Sequence, residues 1–202
     1  MALVKYNNNS ISSITETAAM ASGAMNLITT NTISTGTDTS SFTSGIDSTY
    51  DTYIFKFINM HPANDTPNFQ VNFRDGSSAF DAPKTTTTFG AQHDEADTST
   101  NLGYETGHDI ANGTGYQSLT RNTGNGNDES VSGHLILFSP SSTTFVKHFI
   151  CETNSYFGNN QTESLFIAGF CDVTAAIDGV DFKFNSGDID SGVIKMYGLS
   201  KS

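Results

Sequence analysis

The chain has 202 residues, a formal net charge of −12 at pH 7 and only nine Lys and Arg. Its length fits one domain, or a domain with an arm. Basic residues this sparse exclude a phosphate-backbone partner, because nucleic-acid binding needs concentrated Lys and Arg. No apolar run reaches the ~20 residues of a membrane span, and the opening MALVKYNNNS lacks a signal peptide's apolar core, so membrane insertion is excluded and synthesis and assembly are expected in the cytosol.

Residues 1–24 come first and stand apart. SSITETAAMASG has few bulky side chains and predicts an N-terminal arm or a short helix with Ser12 or Ser13 as N-cap. Such a segment buries little by itself, so it is expected to lean on a neighbour. Residues 25–202 are then expected to form the folded domain. Ser, Thr, Asn and Gly make up 87 of the 202 residues, a polar mixture that alone would suggest disorder. Against it stand 15 Phe and 7 Tyr, gathered in short runs between Gly/Ser/Thr/Asn turns. That pattern predicts an all-β fold: a two-sheet antiparallel β-sandwich, jelly-roll-like, of nine or ten strands.

Leu27 to Ile33 is the first strand candidate. GIDSTYDTYIFKFINMHP, from Gly45 to Pro62, holds the clearest one. Gly45 and Asp47-Ser48-Thr49 read as a turn. Tyr53, Phe55 and Phe57 share one face by the two-residue period, with Lys56 on the wet side, and Pro62 ends the ladder. NFQVNFR alternates next, with Phe69, Val71 and Phe73 inward. KTTTTF at 84–89 is polar and β-branched, which suits an exposed or edge strand. Residues 90–130 read as a long loop region with one or two short strands such as Tyr116 to Thr120. Five strands follow: SGHLILFSP, TTFVKHFIC, LFIAGFC, GVDFKFN and GVIKMYG. LFIAGFC has no polar residue and is expected to be covered on both faces. His148 shares a face with Val146 and Ile150 and reads as a half-buried histidine.

Several groups carry candidate chemistry. Asp94, Glu95 and Asp97, with His93 beside them, offer the densest set of hard oxygens, and calcium is the ion such oxygens would take. The spacing matches no EF-hand loop and HExxH is absent, so a solvated acidic loop is the expected reading and no cofactor is assigned. Tyr104, Tyr116 and Tyr156 could stack on sugar rings, against the plainer reading of loop packing. No Gly-x-Ser-x-Gly elbow is present, and GTGY and NTGNGNDE open into no helix with a following Lys, so no catalytic residue is assigned. Cys151 and Cys171 both end apolar runs; they read as buried thiols, with a disulfide open to them if their strands are neighbours.

Four segments carry a family resemblance: GIDSTYDTYIFKFINMHPANDTPNFQVNF (45–73), NLGYETGHDIANGTGYQSL (101–119), SGHLILFSPSSTTFVKHFI (132–150) and VDFKFNSGDIDSGVIKMYGL (180–199), whose ending reads SGxIxSGxIxxYG. Through them the chain resembles virion structural proteins of tailed bacteriophages, especially marine ones. The resemblance implies a β-sandwich carried on the particle as a capsid decoration, fibre or tail-appendage subunit, and it implies no catalytic residues. The expected function is therefore non-enzymatic. The subunit would be assembled in the host cytoplasm, repeated as a homo-oligomer and docked on other virion proteins through residues 1–44. The alternative is a glycan- or receptor-binding module on the virion surface, with host surface glycan as its partner.

Overall fold

The computed structural model describes residues 24–158 and 160–201. The expected arm or short helix over residues 1–24 lies, but for Ala24, outside them. Among the described residues the fold is all-β and contains no helix. Twelve strands form: β1 (Met25–Ile33), β2 (Ser40–Phe42), β3 (Thr52–Pro62), β4 (Phe69–Arg74), β5 (Lys84–Asp94), β6 (Thr100–Tyr104), β7 (Gln117–Ser118), β8 (Val131–Phe138), β9 (Lys147–Phe157), β10 (Gln161–Cys171), β11 (Gly179–Phe184) and β12 (Ile189–Leu199). They make two antiparallel sheets of a sandwich. One has eight strands in the order β1-β12-β3-β8-β9-β10-β5-β6, the other four in the order β2-β11-β4-β7.

The core follows from alternation. Tyr53, Phe55 and Phe57 of β3 are fully or almost fully buried, as are Phe69, Val71 and Phe73 of β4, while Lys56 is exposed. Phe182 of β11 sits at the centre. The rings of Phe42, Phe55, Phe57 and Phe69 surround it at centroid distances of 6.1, 5.5, 5.1 and 5.9 Å. Burying each such side chain is worth about 1.5–3 kcal/mol, and the rings gain further from their edge-to-face and offset contacts.

The turn before β3 is built by Asp47. Its Oδ1 accepts the Thr49 N–H at 2.7 Å, and its own N–H donates to the Tyr53 hydroxyl at 2.9 Å. The Thr49 bonds hold the Asp47 carboxyl below its usual range. Tyr50 then folds back over Gly198 of β12. A Cβ at Gly198 would lie 2.2 Å from the Tyr50 ring, so only glycine admits it. At the other end of β3 the β3–β12 ladder is irregular around Asn59 (φ 49°) and Gly192 (φ 141°). Gly192 takes a backbone conformation that L side chains rarely adopt.

Four expectations change. KTTTTF is not an edge strand and is open on one face only: β5 lies between β10 and β6, Lys84, Thr86 and Thr88 point inward and are buried, while Thr87 and Phe89 face out and are exposed. Residues 90–130 are less of a loop than composition suggests. β5 continues to Asp94, β6 follows, and the predicted strand from Tyr116 to Thr120 contracts to Gln117–Ser118. LFIAGFC is buried on one face only, through Leu165, Ile167 and Cys171. Phe166, Ala168 and Phe170 on the other face stay half-exposed, because no described element packs over them. His148 is exposed rather than half-buried, with its ring 6.0 Å from that of Phe170.

The strands carrying Cys151 and Cys171 are indeed neighbours. Yet Cys151 sits opposite Ile167, four residues along β10 from Cys171, and both thiols are free. Four residues of strand are roughly 13 Å, well beyond the ~7 Å between Cα atoms that a disulfide tolerates. Burial pushes the Cys171 thiol up to about 12 and raises that of Cys151 as well.

Candidate functional site

The β5–β10–β9 end of the large sheet meets the loop after Thr123 in a cleft of about 350 Å3. His93, Asp94, Glu95, Asp128, Asn154 and Tyr156 are among its lining residues. Two of the three candidate metal ligands and one of the candidate sugar-stacking tyrosines therefore share one place. The Asp94 carboxylate is already used. Asp94 Oδ1 accepts the N–H groups of Thr98 and Ser99 at 2.8 Å each, and its Oδ2 accepts the Thr98 hydroxyl at 2.5 Å. These bonds, the Thr98 hydroxyl first, hold the Asp94 carboxyl below its ordinary range. Asp97 is not among the residues lining the cleft and meets His93 Nε2 at 3.1 Å. Among the described residues no group of three or more His, Cys, Asp or Glu side chains converges as a metal would require.

The three tyrosines occupy three separate surroundings. The Tyr156 hydroxyl lies 3.1 Å from Asn160 Oδ1 and 3.4 Å from Glu95 Oε1, in the cleft. Tyr104 lies on the edge strand β6 and donates to Asp109 Oδ2 at 2.7 Å. Register places it four residues along the strands and three strands across from Tyr156, roughly 13 Å by 14 Å. Tyr116 lies just before β7 of the other sheet. It donates to Asp181 Oδ2 at 2.7 Å, and Lys183 Nζ sits 4.5 Å from its ring centroid. Burial, with the Asp181 bond and charge, pushes its hydroxyl well above the usual tyrosine range. One face of that ring is thus covered by a lysine, and the three rings form no common platform.

Composition and motif did not point to a buried polar layer between β5, β10 and residues 105–123. Glu163, fully buried on β10, accepts Arg121 Nε at 2.7 Å and Gln92 Nε2 at 2.8 Å, and it also pairs with Arg121 Nη2. Arg121 Nη1 reaches Glu105, and the guanidinium carbon lies 5.8 Å from the Phe157 ring centroid. Burial raises the Glu163 carboxyl, and the Arg121 bonds and charge oppose that rise. Thr86 Oγ1 donates to Gln117 Oε1 at 2.6 Å and accepts the Ile110 N–H at 2.8 Å. Lys84 Nζ donates to the Gly115 carbonyl at 2.7 Å, and burial lowers its amine to about 8. No short-range pattern marks these partners, because they lie 16 to 71 residues apart. They stitch the segment to the sheet and present no free reactive group.

The outer face of the large sheet differs. Register puts Met25, Leu27, Ile58, Phe89, Leu102, Tyr104 and Ile150 on it, all exposed, and exposed Phe145 borders it beside Phe138 and His148. These are the large apolar side chains exposed among the described residues. Large apolar side chains gathered on one exposed face mark an interaction surface. Comparison of the chain with protein-family models, with characterised proteins and with solved structures gives no match.

Proposed function

We propose that the protein is a non-enzymatic structural subunit of a tailed-phage virion, a capsid decoration, fibre or tail-appendage protein that works through its surfaces and is anchored by its N-terminal region. One observation carries the reading: the large apolar side chains left exposed gather on or beside one sheet face, while Asp94 in the cleft and Glu163 in the interior spend their carboxylates on internal bonds. A body with a bonded interior and an apolar outer face is suited to assembly. The segments at 45–73, 101–119, 132–150 and 180–199 resemble virion proteins and supply the kind of assembly. Mass spectrometry of purified particles, with immunogold labelling, tests it. The expected result is the chain in stoichiometric amounts on head or tail, with incorporation lost on deletion of residues 1–24. Particles that lack the chain contradict it.

A second reading is glycan or receptor binding at the cleft, favoured by the Tyr156 ring beside Glu95, Asp128, Asn154 and Gln161. A glycan array run with the wild type and with Tyr156→Ala tests this. Signal that depends on Tyr156 supports a binding module, and a blank array removes it.

A further inference from the structure

We propose that two copies of the chain pack face to face through the outer surface of the eight-stranded sheet, about a two-fold axis that runs along β8. This rests on the reading above only in taking that face as an assembly surface.

Register fixes what the face presents. Ile54, Ile136 and Ile150 stand side by side in one row across β3, β8 and β9. In the next row Lys56, His134 and Glu152 do the same. Lys56 and Glu152 are exposed, and neither makes an ion pair with a described residue. Lys56 Nζ lies 6.0 Å from the Tyr197 ring centroid, and its neighbour across the ladder is another cation, Lys195. Within one chain Lys56 and Glu152 share this row but stand two strands apart, roughly 10 Å, with His134 between them.

A two-fold axis along β8 changes that. It keeps each row in register and lays β3 of one copy over β9 of the other. Lys56 then faces Glu152 twice, once on each side of the axis, and Ile54 faces Ile150 around a central Ile136 pair. In such an isologous contact, residue i meets j and j meets i.

Shape agrees with charge. The same axis lays β12 over β10 and β1 over β5. Ala168 and Thr87 on those strands line a hollow of about 550 Å3 whose wall includes Phe138, His148 and Phe170. Opposite them come Tyr197 and Leu27, which is 55% exposed. Large side chains thus meet the hollow, as packing of two sheet faces about 10 Å apart requires. A patch of roughly 30 Å by 20 Å, on the order of 600 Å2 per copy, reaches the lower end of specific interfaces.

Sedimentation velocity on the purified full chain, from micromolar to millimolar, reads the result. The wild type should dimerise with rising concentration. Lys56→Glu and Glu152→Lys should each weaken the dimer at least tenfold, and the double reversal should restore it. Both substitutions lie on exposed strand positions, and circular dichroism confirms folding of all three variants. A wild type that stays monomeric throughout overturns the proposal. So do single reversals without effect, a double reversal that restores nothing, or a dimer that appears only after residues 1–23 are removed, which would make that segment the occupant. Failure here and failure of the virion reading are separable: a monomer found in particles sinks only the dimer, and a dimer absent from particles sinks only the virion reading.

Discussion

The two halves of this sandwich are held by different physics. Between β3, β4 and β11 the interior is aromatic, and Phe182 touches four other phenylalanines. Between β5, β10 and residues 105–123 it is polar: Lys84, Thr86, Thr88 and Glu163 are buried and each bonds to the segment above. The aromatic half tolerates imperfect directions, since apolar burial is non-directional. The polar half does not, because each buried donor or acceptor left unpaired costs its desolvation. The same contrast shows outside. The outer face over β8 and β9 is open and carries a row of isoleucines beside a row of charged residues, while the cleft at the β5 end is polar and holds the internally bonded Asp94.

The largest test breaks each half at its centre. Arg121→Leu strands the buried Glu163 carboxylate and should cost about 3–5 kcal/mol. Phe182→Ala removes the central ring and should cost a similar 3–5 kcal/mol. Urea unfolding followed by circular dichroism measures both, as the chain has no Trp. The halves separate on repair. Arg121→Leu with Glu163→Leu should recover much of the loss, since an apolar pair can replace a buried ion pair. If the single Arg121 variant is as stable as the wild type, the polar half is not a core.

A smaller effect is expected from Thr86→Val. It keeps the shape but leaves Gln117 Oε1 and the Ile110 N–H without their partner, a loss of about 1–3 kcal/mol. An unchanged melting temperature would show that these bonds do not matter.

Next comes pH. The Lys84 amine titrates near 8 in the fold, against an ordinary 10.5. Between those values the unfolded chain binds more protons than the folded one, so this group adds stability as pH rises from 8 to 10.5. Compared with Lys84→Met, the wild type should therefore gain across that window and change little relative to the variant below pH 8. A difference that is flat, or that falls, contradicts the burial of this amine. The smallest effect is expected at the surface. Lys201→Ala breaks the exposed 3.0 Å pair with Asp51 and should shift stability by less than about 0.5 kcal/mol.

The aromatic half was legible in the sequence because alternation states its own answer. Tyr53, Phe55, Phe57 and Phe69, Val71, Phe73 name their buried face without reference to any partner. KTTTTF misleads by the same rule: Lys and Thr look solvated, and only the segment that covers them, 24 to 31 residues away, makes them interior. Arg121 and Glu163 lie 42 residues apart, one in a loop and one on a strand, and no period links them. The cleft was half legible. Asp94, Glu95 and Tyr156 do meet, but Asp97 does not line the cleft, and Tyr104 and Tyr116 bond Asp109 and Asp181 elsewhere. The fate of the two cysteines hung on a register that neither run discloses. LFIAGFC reads as a doubly covered strand because an open apolar face has the same composition as a buried one.

Native-state amide hydrogen exchange tests most directly whether the polar layer is a core. The Thr86 N–H bonds the Ile110 carbonyl at 2.8 Å, the Lys84 N–H the Gly113 carbonyl at 2.9 Å, and the Leu119 N–H the Phe69 carbonyl at 2.7 Å. These amides should exchange only with global unfolding, as slowly as those of Phe55 and Phe182. Exchange of Lys84, Thr86 and Leu119 that is faster by orders of magnitude, while Phe55 and Phe182 stay protected, would show residues 105–123 to be a loop laid on the sheet and would contradict the account.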